Sequence, residues 1–200
     1  MMLDEALDIL NIPKAKHEIA KSLAEVERKA KVFGFPVILK LISPKAVHKT
    51  EVGAVIIVRD PNELRQAGTR LVKRGKVLVQ EYIEGIEFFL GIKKDASFGH
   101  VLLAGLGGIF VEVYKDVSFR VCPITEKDAK EMLDELKGKS LLDGARGKKP
   151  VNRQALIDAM VKLSKLPQKM PELKELDVNP LMCDDKTVRA VDARIVLNEN

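Results

Sequence analysis

The sequence predicts an α+β fold built as two lobes, and two observations lead there. Helix-length amphipathic stretches alternate with short apolar runs that read as mostly antiparallel strands, which argues against a doubly wound parallel sheet. Helical stretches also stand at both ends of the run of strands, so two lobes with a cleft are expected. The 200 residues, 46% hydrophobic, can bury a real core. They read as one domain over 1–200, with a smaller lobe at about 22–80 and a larger one at 81–200.

The elements follow in order. Ser22-Leu-Ala-Glu25 has the spacing of a capping box and opens a helix that runs to Phe33 and stops at Gly34. FPVILKLI (35–42) is a strand with Lys40 in its middle, and VGAVIIV (52–58) is a second. Asp60-Pro61 caps a helix to about Arg74, with Pro61 at its first position. VLVQEYI (77–83) and IEFFLGIKK (86–94) are strands joined at Glu84-Gly85, and HVLLAGL (100–106) follows. LGGIFVEVYKDVSFRVCPI (106–124) is a glycine turn leading into strands broken near Lys115-Asp116. Thr125-Glu-Lys-Asp128 opens a helix to Lys137, LLDGARGKKP (141–150) is a basic, glycine-bearing loop, and Val151–Leu166 is another helix. The last segments, 173–182 and 187–197, form a strand pair around Asp184-Asp185-Lys186.

Composition excludes several classes. The net charge of +5 comes from 34 basic residues interleaved with 29 acidic ones, and aromatics are 4%, so no nucleic-acid platform is expected. No run is long enough for a membrane span. MMLDEALDIL is acidic and amphipathic, unlike a secretory signal, so a cytoplasmic location is expected. Cys122 and Cys183 stand far apart without metal-ligand spacing. Abundant Lys and Glu with no Trp suits a heat-adapted protein.

Three groups of residues could carry chemistry. Asp177 and Asn179 lie two apart in a strand and so share a face. A turn centred between Asp185 and Lys186 sets Asn179 opposite Asp192, with Cβ atoms about 5 Å apart. That pair could share a hard cation such as Mg²⁺, which takes one or two protein oxygens and completes its octahedron with water and phosphate. The same spacing also fits the polar face of an exposed hairpin, and a one-residue shift of the turn would destroy it. Lys40, in an otherwise apolar strand, is either a snorkelling lysine or a fixed positive charge for phosphate. His48 sits in HKTEVGA (48–54), a loop that fits either a solvated turn or the handling of phosphate. Glu81 and Glu87 flank the turn at 83–85, a pattern that fits either merely exposed carboxylates or acceptors for an amine or ribose hydroxyls. Gly105, Gly107 and Gly108 allow close backbone approach to phosphate, but GLGG has neither the Walker lysine nor the GxGxxG spacing.

The order of these features resembles an ATP-grasp domain, and more narrowly the β subunit of ADP-forming acetyl-CoA synthetase, a relative of succinyl-CoA synthetase. The resemblance rests on PVILKLISP…HKTEVGAV (36–55), VQEYIEGIEFFLGI (79–92), FGHVLLAGLGGIFVEVYKDVSFRVCPI (98–124), LLDGARG (141–147) and ELDVNPL…AVDARI (175–195). It implies two lobes clamping ATP or ADP. It also implies phosphate contact by Lys40, an adenine pocket along the segment of Glu81, nucleotide binding by Glu87, and Mg²⁺ ligation by Asn179 and Asp192. His48 matches the motif histidine that receives or stabilises the phosphoryl group, and Arg146 falls in a motif to which no role is attached.

Two departures stand out: Ala54 where a second glycine is usual, and Glu51 where Asp is usual. Neither removes a phosphate-binding group. The implied net reaction turns acyl-CoA, ADP and phosphate into carboxylic acid, CoA and ATP, reversibly. A separate CoA-binding α subunit would carry its own phosphohistidine, making a hetero-oligomer. The alternatives are another ATP-grasp ligase working through an acyl phosphate, or a non-catalytic nucleotide-binding regulatory subunit.

Overall fold

The computed structural model describes residues 7–8, 10–42, 55–108, 113–145 and 149–198. His48, Glu51, Ala54 and Arg146 therefore lie outside the described residues. The chain forms two compact units: Ala15–Ile83, and Met1–Lys14 together with Glu84–Asn200.

The smaller unit contains strand β1 (His17–Ala20), helix α1 (Leu23–Phe33), β2 (Val37–Ile42), β3 (Val55–Val58), α2 (Pro61–Val72) and β4 (Lys76–Glu81). Its antiparallel sheet has the order β1-β4-β2-β3. The Ser22 hydroxyl accepts the Glu25 amide at 3.3 Å, and Glu25 reaches back to the Lys21 amide at 2.8 Å. One of the orphan donors of helix α1, the Glu25 amide, is thereby satisfied. The helix ends at Gly34, whose φ of 78° is cheap only without a Cβ. The Asp60 carboxylate caps α2 by accepting the Asn62 and Glu63 amides. Val26, Ala30, Leu64 and Leu71 from the helices bury against Val37, Leu39, Val58, Val77 and Val79 from the strands.

The larger unit contains β5 (Ile86–Asp95), β6 (Gly99–Leu106), β7 (Val117–Val121), α3 (Glu126–Glu135), a 3₁₀ turn (Lys139–Leu141), α4 (Arg153–Ser164), α5 (Leu166–Lys169), β8 (Leu173–Cys183), β9 (Val188–Ala190) and β10 (Ala193–Leu197). The sheet runs β10-β8-β5-β6-β7, with β9 also on β8. All its pairings are antiparallel. Thr125 and Asp128 form a reciprocal capping box at α3. One face of the sheet, with Phe88, Leu90, Ile92, Leu102, Leu176 and Val178, packs on Met132, Leu133, Leu156, Met160 and Leu163.

Three features depart from the sequence reading. The runs 77–83 and 86–94 are consecutive but belong to different sheets: β4 pairs with β1 and β2, β5 with β6 and β8. Gly85 makes the passage, lying so close to the Cys183 carbonyl that a Cβ would sit 2.5 Å from that oxygen. Strand β1 is four residues long and carries too little pattern to be read alone. Leu7, Leu10 and Ile12 join the larger core, which places the N-terminal segment with residues distant in sequence. His100 is structural, its Nε2 2.6 Å from the Leu173 carbonyl.

The two faces of the larger sheet should respond differently to truncation. Phe88→Ala, at a fully buried position, should cost about 3–5 kcal/mol in a urea titration of the larger unit. Phe119→Ala, 66% exposed on β7, should stay within about 0.5 kcal/mol.

Candidate active site

Strand β8 alternates across the larger sheet, burying Leu176 and Val178 and leaving Glu175, Asp177 and Asn179 on the face away from the helices; a register shift against β5 then brings Leu181 into the core opposite Phe88. Its pairing sets the rest. Met182 meets Arg189 and Cys183 meets Val188 next to the turn, while Val178 meets Ala193 and Asp177 meets Arg194 beyond it. This is the register of a turn centred between Asp185 and Lys186. Asn179 accordingly lies beside Asp192, its amide donating to the Asp192 carbonyl at 3.0 Å. Pro180 has no N–H to offer Val191, and the second strand of the hairpin breaks there into β9 and β10. Asp184 closes the turn by accepting the Lys186 and Thr187 amides, each at 2.8 Å.

The donor set fits a hard divalent cation. Asp177 Oδ1 is buried without a hydrogen-bond partner. Burial raises the Asp177 carboxyl above its ordinary value; Glu175 and Asp192 add repulsion and Arg194 opposes it. Carboxylates gathered beside an Asn side chain attract a small hard cation. Among the described residues no group of three or more His, Cys, Asp or Glu converges, so a cation here would rely on water and phosphate for the rest of its shell.

Glu87 shares this open face. On β5 it lies opposite Met182 of β8, while Gly91 lies opposite Asp177, and the Phe89 ring covers Gly91. The Glu87 carbonyl accepts the Gly107 amide at 2.8 Å. At Gly108, with φ of 61°, a Cβ would sit 3.3 Å from Glu87 Oε2. Gly85, Ile86, Glu87, Leu106, Gly107, Gly108 and Leu141 line a cavity of about 300 Å³. A second, of about 340 Å³, shares Gly85 and Ile86 and reaches Glu84, Lys149, Asp184 and Asp185.

In the smaller unit, Lys40 is 9% exposed on β2. Its cross-strand partners are Leu78 of β4 and Val55 of β3. It points away from the helices, because its neighbours Leu39 and Leu41 point into the core. Glu81 lies on the other face. It pairs with the buried Val37, and its carboxylate accepts the Lys16 amide at 2.8 Å. Gln80 is the buried polar side chain of β4 on the Lys40 face, opposite Ile38 and His17 and 3% exposed. Gln80 therefore shares the face of Lys40, and Glu81, which the resemblance places in the adenine segment, does not.

The structure therefore gathers Glu87, Asn179 and Asp192 on one face of the larger sheet. It sets Lys40 and Glu81 on opposite faces of the smaller one. The chain belongs to the ATP-grasp family, whose ATP-grasp domain model matches residues 3–197. Within it, the chain is 38% identical to the ADP-forming acetate–CoA ligase I subunit beta of Pyrococcus furiosus, over 96% of its own length and 88% of that protein's. It is also similar to the dinucleotide-forming acetyl-coenzyme A synthetase 1 of Ca. Korarchaeum cryptofilum. The structure of that protein with coenzyme A, Ca-AMPCP and HgCl⁺ matches with a TM-score of 0.89 and 38% identity, over 98% of this chain and 90% of that one. Another contains coenzyme A and Mg-AMPPCP, with its phosphohistidine segment pointing towards the nucleotide binding site. It matches with a TM-score of 0.85 and 37% identity, over 99% and 92% of the two chains.

The state of Asp177 is testable by pH. A carboxyl with a raised folded-state pKa binds its proton more tightly folded than unfolded. The metal-free protein then loses stability as pH rises from the ordinary aspartate value, about 4, through the raised one. Asp177→Asn removes that loss. Without divalent cations the variant should melt above wild type at neutral pH, and the difference should close as pH falls toward about 4. Added Mg²⁺ should raise the wild-type melting temperature more than the variant's.

Proposed function

We propose that this chain is the nucleotide-binding subunit of an ADP-forming acyl-CoA synthetase, moving a phosphoryl group between a phosphohistidine and ADP. The observation that carries this reading is the hairpin that puts Asn179 beside Asp192 next to the unpartnered oxygen of Asp177. The relatives support it: one is an ADP-forming acetate–CoA ligase subunit, and another holds coenzyme A and a magnesium nucleotide with a phosphohistidine segment pointing towards the nucleotide binding site. The net reaction is acyl-CoA, ADP and phosphate giving carboxylic acid, CoA and ATP, reversibly. The partner is a CoA-binding subunit in a hetero-oligomer, and the location is the cytoplasm.

Each residue then has a task. Asn179 and Asp192 would hold Mg²⁺, which would supply neutralisation of phosphate charge there. Lys40 offers a fixed ammonium to the phosphates, and its burial keeps that charge from being screened by solvent. Glu87 accepts hydrogen bonds from the nucleotide at the mouth of the Gly107–Gly108 turn, with Gln80 and the segment of Glu81 as further polar contacts. His48 takes the phosphoryl group: the P–N bond to the partner's histidine breaks as a P–N bond to His48 forms. A β-phosphate oxygen of ADP then displaces His48, giving ATP. Neutral imidazole attacks phosphorus without prior deprotonation in the first step, and it departs again as neutral imidazole when ADP displaces it in the second.

Two variants test the assignment. Asp192→Ala should keep the fold and weaken Mg·ADP binding by about tenfold or more in calorimetry, the loss of one charged ligand. Unchanged affinity and turnover would remove the metal assignment. His48→Gln should bind nucleotide as wild type does but form no acid-labile phosphate when mixed with the phosphorylated partner. If His48 only orients phosphate, rapid-quench labelling should instead show turnover slowed by roughly 10²–10³-fold. Near-normal rates would leave His48 outside the mechanism.

A further inference from the structure

One wall of the Glu87 cavity is built by a segment that has little regular structure of its own. Leu141 ends the 3₁₀ turn Lys139–Leu141 and lines the cavity opposite Glu87, Gly107 and Gly108. The residues just before it are held by one buried carboxylate. Asp116 is 6% exposed. Its Oδ1 accepts the Lys137 amide at 2.9 Å and its Oδ2 the Gly138 amide at 2.8 Å. Its backbone also lies close against β6, where a Cβ on Gly105 would come within 2.5 Å of the Asp116 carbonyl. Asp116 thus spans from the strand that leads into Gly107–Gly108 to the turn that presents Leu141.

A carboxylate this buried is tolerated because two amides satisfy it, and those amides would otherwise stand unpaired beyond the end of α3. Arg153 braces the same segment from the solvent side, bonding Asp134 at 2.7 Å and Asp143 at 2.8 Å. Those two carboxylates flank the turn in sequence, so the guanidinium limits how far it can open.

We propose that Asp116 is a positioning residue of the nucleotide site: by clasping the Lys137 and Gly138 amides it holds Leu141 as the apolar wall against which the nucleotide rests. This rests on the reading of Glu87 and Gly107–Gly108 as nucleotide contacts. Asp116→Asn keeps size and shape but turns one acceptor into an amide donor facing an N–H, so the turn is released without a new cavity. Ser118→Ala is the control. It removes a hydrogen bond to Glu135 in the same seam between β7 and α3, but touches neither the turn nor the cavity.

Calorimetry of the full chain with Mg·ADP, well below the melting temperature, should show affinity lowered by about tenfold in Asp116→Asn and unchanged in Ser118→Ala. Wild-type affinity in Asp116→Asn, or equal losses in both variants, overturns the proposal. Absent Mg·ADP binding by the wild type instead overturns the nucleotide reading itself. Should Asp116→Asn fail to fold, amide exchange on the wild type decides. Mg·ADP should slow exchange across 136–142, and exchange unaltered by the nucleotide rules the positioning role out.

Discussion

The larger unit depends on the register of one strand. Strand β8 is bonded on one side to β5 and on the other to β9 and β10, so its alternation is imposed on three neighbours at once. A slip of one residue would turn Leu176, Val178 and Leu181 out of the core and Asp177 and Asn179 into it. Burial of the apolar side chains therefore holds the polar ones in place. The same force that closes the core aims the carboxylates, and chemistry on that face inherits the rigidity of the packing.

Much of this was legible in the sequence because the relevant signals are local. Ser22, Asp60 and Thr125 are cap residues at the right distance from their acidic partners, and each begins a helix as read. The hairpin register needed only the position of its turn, and Asp184 fixes that position with two short side-chain bonds. Lys40 was conspicuous as a charge among aliphatics, and its burial gives that oddity a physical meaning.

What escaped is non-local. Nothing in KVLVQEYIEGIEFFLGIKKD tells that two adjacent strands go to different sheets; that depends on the Cys183 carbonyl, about a hundred positions away, against which Gly85 packs. Which of Glu81 and Gln80 shares a face with Lys40 depends on how β4 pairs with β2, and that pairing is not written in the local pattern. Asp116 had looked like a break between strands. Its role comes from amides some twenty residues further on.

The N-terminal segment has a consequence for the order of events in synthesis. Pro13 accepts a bond from the Ala190 amide, and Lys14 pairs in parallel with Ala190. Residues 13 and 14 thus find their partners far later in the chain, while Ala15–Ile83 is contiguous between them. The small unit can assemble during translation from contacts close at hand, whereas the large one must wait until its final hairpin is made. For that interval Leu7, Leu10 and Ile12 have no core to enter. The nascent chain then carries a finished lobe flanked by unsatisfied apolar segments, a form suited to capture by a chaperone.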